Sequence, residues 1–204
     1  MARGQSERLV PMIEEVMATA GLDYGALEAV AVTRGPGGFT GVRIGLATAR
    51  GLGLALGRPV MGVTNFEAQA LAAPELRAGQ VLAVVIDAKR AEVYVQAFRA
   101  GERGAPPAPA GPGRALRPEA LDEALPPGPL VVVGDGAALA APALRAAGRR
   151  LELPAAAEPC LAAQVAELAA GRPLPAPDLP PPGPLYLRGA DVTLPDGRKL
   201  ETPA

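Results

Sequence analysis

Arg34-Gly35-Pro36-Gly37-Gly38-Phe39-Thr40-Gly41-Val42-Arg43 is the stretch that decides how this chain is read. Ahead of it lies Ala29-Val30-Ala31-Val32-Thr33, a run of strand composition, and behind it Ile44 to Leu56 has the composition of a helix. Three glycines and a proline in four positions sustain neither element, so the stretch is a shaped strand-to-helix loop. Thr40 is placed to cap the helix, whose first N–H groups then face the loop. Two readings stay open. One is a phosphate or nucleotide cradle built on Gly35, Gly37, Gly38 and Thr40; the other is a tight turn, favoured by the absence of a Gly-Lys-Ser/Thr ending.

The helix carries a second signal. Positions 41, 45, 49, 53 and 57 are Gly, Gly, Ala, Gly and Gly, a row of minimal side chains at the i, i+4 spacing. A helical glycine costs about 1 kcal/mol relative to alanine, so the row predicts close approach by another element. Only Arg43 and Arg50 are charged between Gly41 and Leu56. A helix so apolar is buried on more than one side, with the chain's own sheet on one and a second helix or another protein on the other. Two arginines in so short a segment argue against a membrane span.

Outward from this centre, Ser6–Ala20 reads as an amphipathic helix, with Leu9, Met12, Ile13, Val16 and Ala20 on one stripe, Pro11 kinking or restarting its first turn, and Gly21 ending it. Val60–Val63 is a short strand, and Thr64-Asn65-Phe66-Glu67 is a capping box opening a helix to about Ala73. Val81–Ile86 and Ala91–Phe98 flank Asp87-Ala88-Lys89-Arg90 as two strands and a turn, with Val93, Val95 and Ala97 alternating against Glu92, Tyr94 and Gln96. Asp87 could be an acid, a metal ligand or a turn-former, the last being the default. Residues 100–114 read as a surface loop leading to a short strand near Leu116. A helix to Ala124, the strand Leu130–Val133, a Gly134-Asp135-Gly136 turn, a helix to Ala147, the strand Leu151–Leu153 and a helix to Ala170 follow. Residues 171–184 are a proline-rich linker, and Leu185–Arg188 is a docking strand or hook.

The two halves match: strand, glycine turn, helix, strand, helix occurs twice, and the second time a meander precedes it. The expected class is α/β, with two related lobes, each a mixed sheet covered by helices. The expected boundaries are 1–78 for a first lobe of two strands and three helices, 79–172 for the second lobe, and 173–204 for linker, docking strand and tail.

Totals narrow the chemistry. A chain of 204 residues with 49% hydrophobic content supports a substantial core, and a formal charge of −1 shows no footprint for nucleic acid or anionic membrane. There is no histidine, so no histidine-based zinc site, histidine general base or Ser-His-Asp triad can be built. A single cysteine excludes an internal disulfide and fits a reducing cytosol; Cys160, in the apolar pattern Leu161, Val165, Leu168, reads as core.

These residues resemble a known family. Gly4-Gln5-Ser6-Glu7-Arg8-Leu9-Val10-Pro11-Met12-Ile13, the run Gly35–Ala47, Asp87-Ala88-Lys89-Arg90-Ala91-Glu92-Val93-Tyr94 and Pro184-Leu185-Tyr186-Leu187-Arg188 are similar to the corresponding stretches of TsaB (also called YeaZ). The resemblance implies two actin–hexokinase-like (RNase H-like) lobes without independent catalysis. It also implies a cytoplasmic partner of the catalytic paralogue TsaD, joined by the ATPase TsaE. Together they transfer a threonylcarbamoyl group to N6 of a tRNA adenosine, with tRNA met through the complex. No metal and no cofactor of this chain's own are implied; ATP or ADP would bind at the level of the complex. The family begins with a strand and hairpin ahead of the first helix, and this sequence starts within that helix. The expectation is therefore an N-terminally truncated first lobe, with Ala29–Thr33 left with one open edge and Met1 an internal methionine of a longer chain.

Three functional readings follow. In the first, the chain is a non-catalytic scaffold that docks TsaD through Leu9, Met12, Ile13, Val16, Gly41, Arg43, Gly45, Ala49, Arg50 and Gly53, with Gly45 at the closest approach. In the second, it is a nucleotide-hydrolysing or kinase-like enzyme resting on the glycine loop and Asp87. In the third, the same helices pair two copies when TsaD is absent.

Overall fold

The structure is a computed structural model that describes residues 5–101, 105–154, 161–176, 179–188, 192–193 and 199–200. The chain forms two compact units, residues 1–68 with 159–184 and residues 69–158 with 185–204.

The first unit is built on two strands. β1 (Val30–Thr33) pairs in parallel with β2 (Val60–Val63), Val30 opposite Val60 and Thr33 opposite Val63. Among the described residues no further strand joins this sheet. Between them runs α2 (Phe39–Leu56), which ends where Gly57 turns left-handed at φ 63° and its N–H returns to the carbonyls of Gly53 and Leu54. α1 (Gln5–Ala20) is a single helix that continues through Pro11 and packs on α2. α3 (Asn65–Ala72) begins at the predicted capping box: the Thr64 N–H and hydroxyl both donate to Glu67 Oε2 at 2.8 Å, and the Glu67 N–H donates to Thr64 Oγ1 at 3.1 Å. One assignment is corrected here. α6 (Leu161–Ala170), expected in the second lobe, packs on β1 and β2 of the first unit. Its buried Val165, Leu168 and Ala169 supply apolar cover for a two-stranded sheet, and a sequence pattern carries no record of so distant a partner.

The second unit holds a mixed sheet. β3 (Val81–Asp87) pairs antiparallel with β4 (Val93–Arg99) and parallel with β7 (Leu130–Val133), which pairs in parallel with β8 (Leu151–Glu152). β5 (Ala108–Pro109) and β6 (Arg114–Leu116) both add to β4. β5 falls inside the segment read as surface loop. All of Val81–Ile86 is buried, as a strand covered on both faces requires. On β4, Val93, Val95 and Ala97 are buried and Tyr94 and Gln96 half-buried, which is the predicted alternation. α4 (Leu121–Ala124) is a single turn after a 3₁₀ turn at Pro118–Ala120, and Leu121 and Leu125 join Leu144 of α5 (Ala137–Ala146) in the core over β3. The β1–α2–β2 and β7–α5–β8 units share one strand–helix–strand plan, the repeat seen in the sequence. Cys160 lies outside the described residues.

Candidate functional site

The glycine loop comes first. α2 starts at Phe39 with Gly38 as its N-cap, and no side chain caps it. Thr40 lies inside the first turn, which corrects the expectation that it caps the helix. Gly35, at φ 102°, and Pro36 are buried, and both point carbonyls at Asn65: Asn65 N donates to Gly35 O and Asn65 Nδ2 to Pro36 O, each at 2.8 Å. A Cβ on Gly37 would stand 3.1 Å from Asn65 Nδ2. What this loop does in the structure is tie the β1–α2 turn to the start of α3. Gly35 and Gly37 serve that junction, and Gly38 and Thr40 are exposed beside it.

The row of small residues on α2 divides. A Cβ on Gly53 would meet Val60 Cγ2 at 2.5 Å and Arg58 O at 2.9 Å, and one on Gly45 would lie 3.6 Å from Val32 Cγ2. Ala49 is buried on the same row. Gly45, Ala49 and Gly53 therefore face the chain's own β1–β2 pair, which corrects their assignment to a partner. Helical spacing showed that a backbone comes close without showing whose. Gly41 is exposed. Arg43 lies over the Phe39 ring, 3.6 Å from its centroid, and Arg50 Nη2 donates to Pro182 O at 2.8 Å.

A different row faces out. Arg43, Ala47, Gly51 and Ala55 are exposed at the same i, i+4 spacing, and a Cβ on Gly51 meets nothing within 4 Å. Beside it Leu54 is 86% exposed, and Phe39 is 53% exposed at the helix start. On α1, Leu9 and Ile13 are half-buried with Met17, whereas Met12 and Val16 are open, Val16 at 66%. Five large apolar side chains (Val10, Met12, Val16, Phe39, Leu54) thus remain exposed on two packed helices. Leu54 was not among the residues assigned to a docking surface from the sequence. Alternating rows of small residues on α2 look alike until the strand beneath one of them is known.

Glu67 is the centre of a polar network. Arg172, just past α6, donates to Glu67 Oε1 at 2.7 Å and to Gly62 O at 3.4 Å. Burial pushes the Glu67 carboxyl up, but the Thr64 N–H and hydroxyl and the Arg172 guanidinium together hold it below its ordinary value. A carboxylate lowered on folding contributes stability that is present above its unfolded value and lost as pH falls through the folded one. Glu67→Gln is expected to cost about 1 kcal/mol at neutral pH, modest because the pair is partly exposed. It should also flatten the acid limb of the stability curve, which a urea titration repeated down the pH scale measures. An acid limb unchanged by the substitution would refute this assignment.

Asp87 ends β3 in the second unit. Its Oδ1 accepts from Lys89 N at 2.6 Å and its Oδ2 from Lys89 Nζ at 2.8 Å, and these hydrogen bonds, the ammonium's first, hold its carboxyl below the ordinary range. That is the behaviour of a turn-former. Among the described residues no group of three or more acidic, cysteine or histidine side chains is placed to hold a metal, and no helix is long and apolar enough to cross a membrane.

With this geometry in hand, the family model described as tRNA N6-adenosine threonylcarbamoyltransferase (TsaD) matches residues 1–116. The chain belongs to this family. Its relatives include both TsaB proteins and tRNA N6-adenosine threonylcarbamoyltransferases, the latter represented by that of Erythrobacter litoralis, 47% identical over 70 residues, 34% of this chain and 20% of that protein. The tRNA threonylcarbamoyladenosine biosynthesis protein TsaB of Haemophilus influenzae is 42% identical over 92 residues, 45% of this chain and 39% of that protein. TsaB of Escherichia coli is 35% identical over 102 residues, 50% of this chain and 44% of that protein. The chain thus spans about two fifths of the length of the TsaB relatives it matches. A crystal structure from Pseudomonas aeruginosa, described as an uncharacterized protein similar to peptidase YEAZ, superposes with a TM-score of 0.67 at 28% identity, covering 89% of this chain and 83% of that one. The fold is accordingly the actin–hexokinase-like α/β class, and the TsaB (YeaZ) resemblance holds.

Proposed function

We propose that this chain is a non-catalytic partner subunit in the synthesis of N6-threonylcarbamoyladenosine on tRNA, docking TsaD through the outer face of α1 and α2. The observation that carries the docking reading is the set of exposed apolar side chains on those helices, Met12, Val16 and Leu54 foremost. Gly41 and Arg43 lie on this open side. Leu9 and Ile13 line its edge, while Gly45, Ala49 and Gly53 act from beneath by setting how closely α2 lies on its sheet. Family membership supports the reaction, and the absence of histidine supports a supporting rather than a catalytic role. The third member of the assembly would be TsaE, tRNA would be met through the complex, and nucleotide would be bound at that level, without a cofactor of this chain's own.

The test is direct. Wild-type chain mixed with TsaD is expected to co-elute as a heteromer on size exclusion with light scattering. Val16→Glu with Leu54→Glu should weaken that complex by about thirtyfold, the scale of interface hot spots, while circular dichroism and Tm stay unchanged. A folded double variant that binds TsaD as tightly as wild type would move the interface elsewhere. The same experiment without TsaD reads whether the helices pair two copies.

A further inference from the structure

At the carboxyl ends of the parallel strands β3 and β7, where open α/β sheets commonly receive ligands, the turn after β3 meets the turn after β7. Asp135, between Gly134 and Gly136, accepts the Asp87 N–H on Oδ1 at 2.8 Å. Lys89 stands left-handed at φ 58°, the one described non-glycine residue with a positive φ. Its ammonium folds back to lie 2.8 Å from Asp87 Oδ2 and 3.6 Å from Asp135 Oδ2. Eighteen of the chain's twenty basic residues are arginine, and the compact point charge of a lysine is used where two carboxylates from two different turns must share one cation.

We propose that Lys89 is a charge latch whose ammonium holds the β3–β4 turn against the β7–α5 turn. Without that charge Asp87 and Asp135 face each other as like charges, and the hydrogen bond from the Asp87 N–H to Asp135 is the first contact to open. The side chain is 73% exposed, so the latch acts on local opening rather than on global stability.

Amide hydrogen exchange on the full chain tests this with two variants. Lys89→Met removes the charge and keeps a side chain at positive φ; Lys89→Gly removes the charge and relieves the backbone. The Asp87 amide is expected to exchange about threefold faster in both, a local effect of surface ion-pair size. The Val81 amide, bonded to Pro129 O at the other end of the sheet, should be unchanged. Faster exchange in Lys89→Met alone would assign the effect to backbone shape and overturn the latch, and so would unchanged exchange in both.

Discussion

Gly134→Ala is expected to open the strand–turn–helix corner of the second unit and to cost about 2–5 kcal/mol, the sum of overpacking and left-handed strain. Gly134 stands at φ 99°, and an added Cβ would run into the carbonyl oxygen of Val85 and lie 2.8 Å from Gln69 Oε1. The Gln69 amide can turn aside, but the Val85 carbonyl cannot. Val85 O also accepts the Gly136 N–H at 3.1 Å, so any shift of the carbonyl breaks the turn that starts α5. Amide exchange across β3 and β7 under mild denaturant measures the loss. A change below about 1 kcal/mol, the scale of an ordinary substitution, would mean that the corner yields to the added methyl group and would refute this prediction.

The second large effect is a contrast within one helix. Gly53→Ala should destabilise the first unit by about 1–3 kcal/mol, because the new methyl group would overlap Val60 Cγ2 and crowd Arg58 O where the chain leaves α2 for β2. Gly45→Ala, two turns earlier on the same row, should be neutral or stabilising by up to about 1 kcal/mol. Its methyl group meets Val32 at 3.6 Å, an ordinary contact, and the helix gains propensity. Denaturant midpoints of the two single variants decide the matter, and equal effects would refute the packing described for α2. Gly45→Leu is a poor probe of a partner surface for the same reason: it presses on β1 before it reaches any other protein.

Features that rest on neighbours in sequence were legible without coordinates. The Thr64–Glu67 capping box, the alternation on β4, the uniformly apolar β3 and the Asp87 turn each involve residues a few positions apart, and each is found where it was read. Readings that needed a distant partner were not. Helical spacing on α2 announced a close approach, yet only Val32 and Val60 reveal which row lies on the sheet. Asn65, which fastens the glycine loop, sits beyond a helix and a strand from Pro36 and carried no signal of its own. Arg50 and Arg172, charged and easily taken for solvent-facing residues, turn out to hold Pro182 and Glu67.

The return of α6 to the first unit has a consequence for the order in which the chain can fold as it is made. The last residue of β2 is Val63 and the first of α6 is Leu161. At ordinary rates of synthesis the intervening stretch, close to a hundred residues, takes on the order of 5–20 s to emerge. During that interval the β1–β2 pair waits without the Val165, Leu168 and Ala169 cover that α6 brings, and Glu67 waits without Arg172. The second unit's central strands β3, β4 and β7, by contrast, all lie within one continuous stretch and are complete first. Folding on the ribosome is thus expected to finish in the reverse of reading order, the segment synthesised earliest being the last to gain its full core.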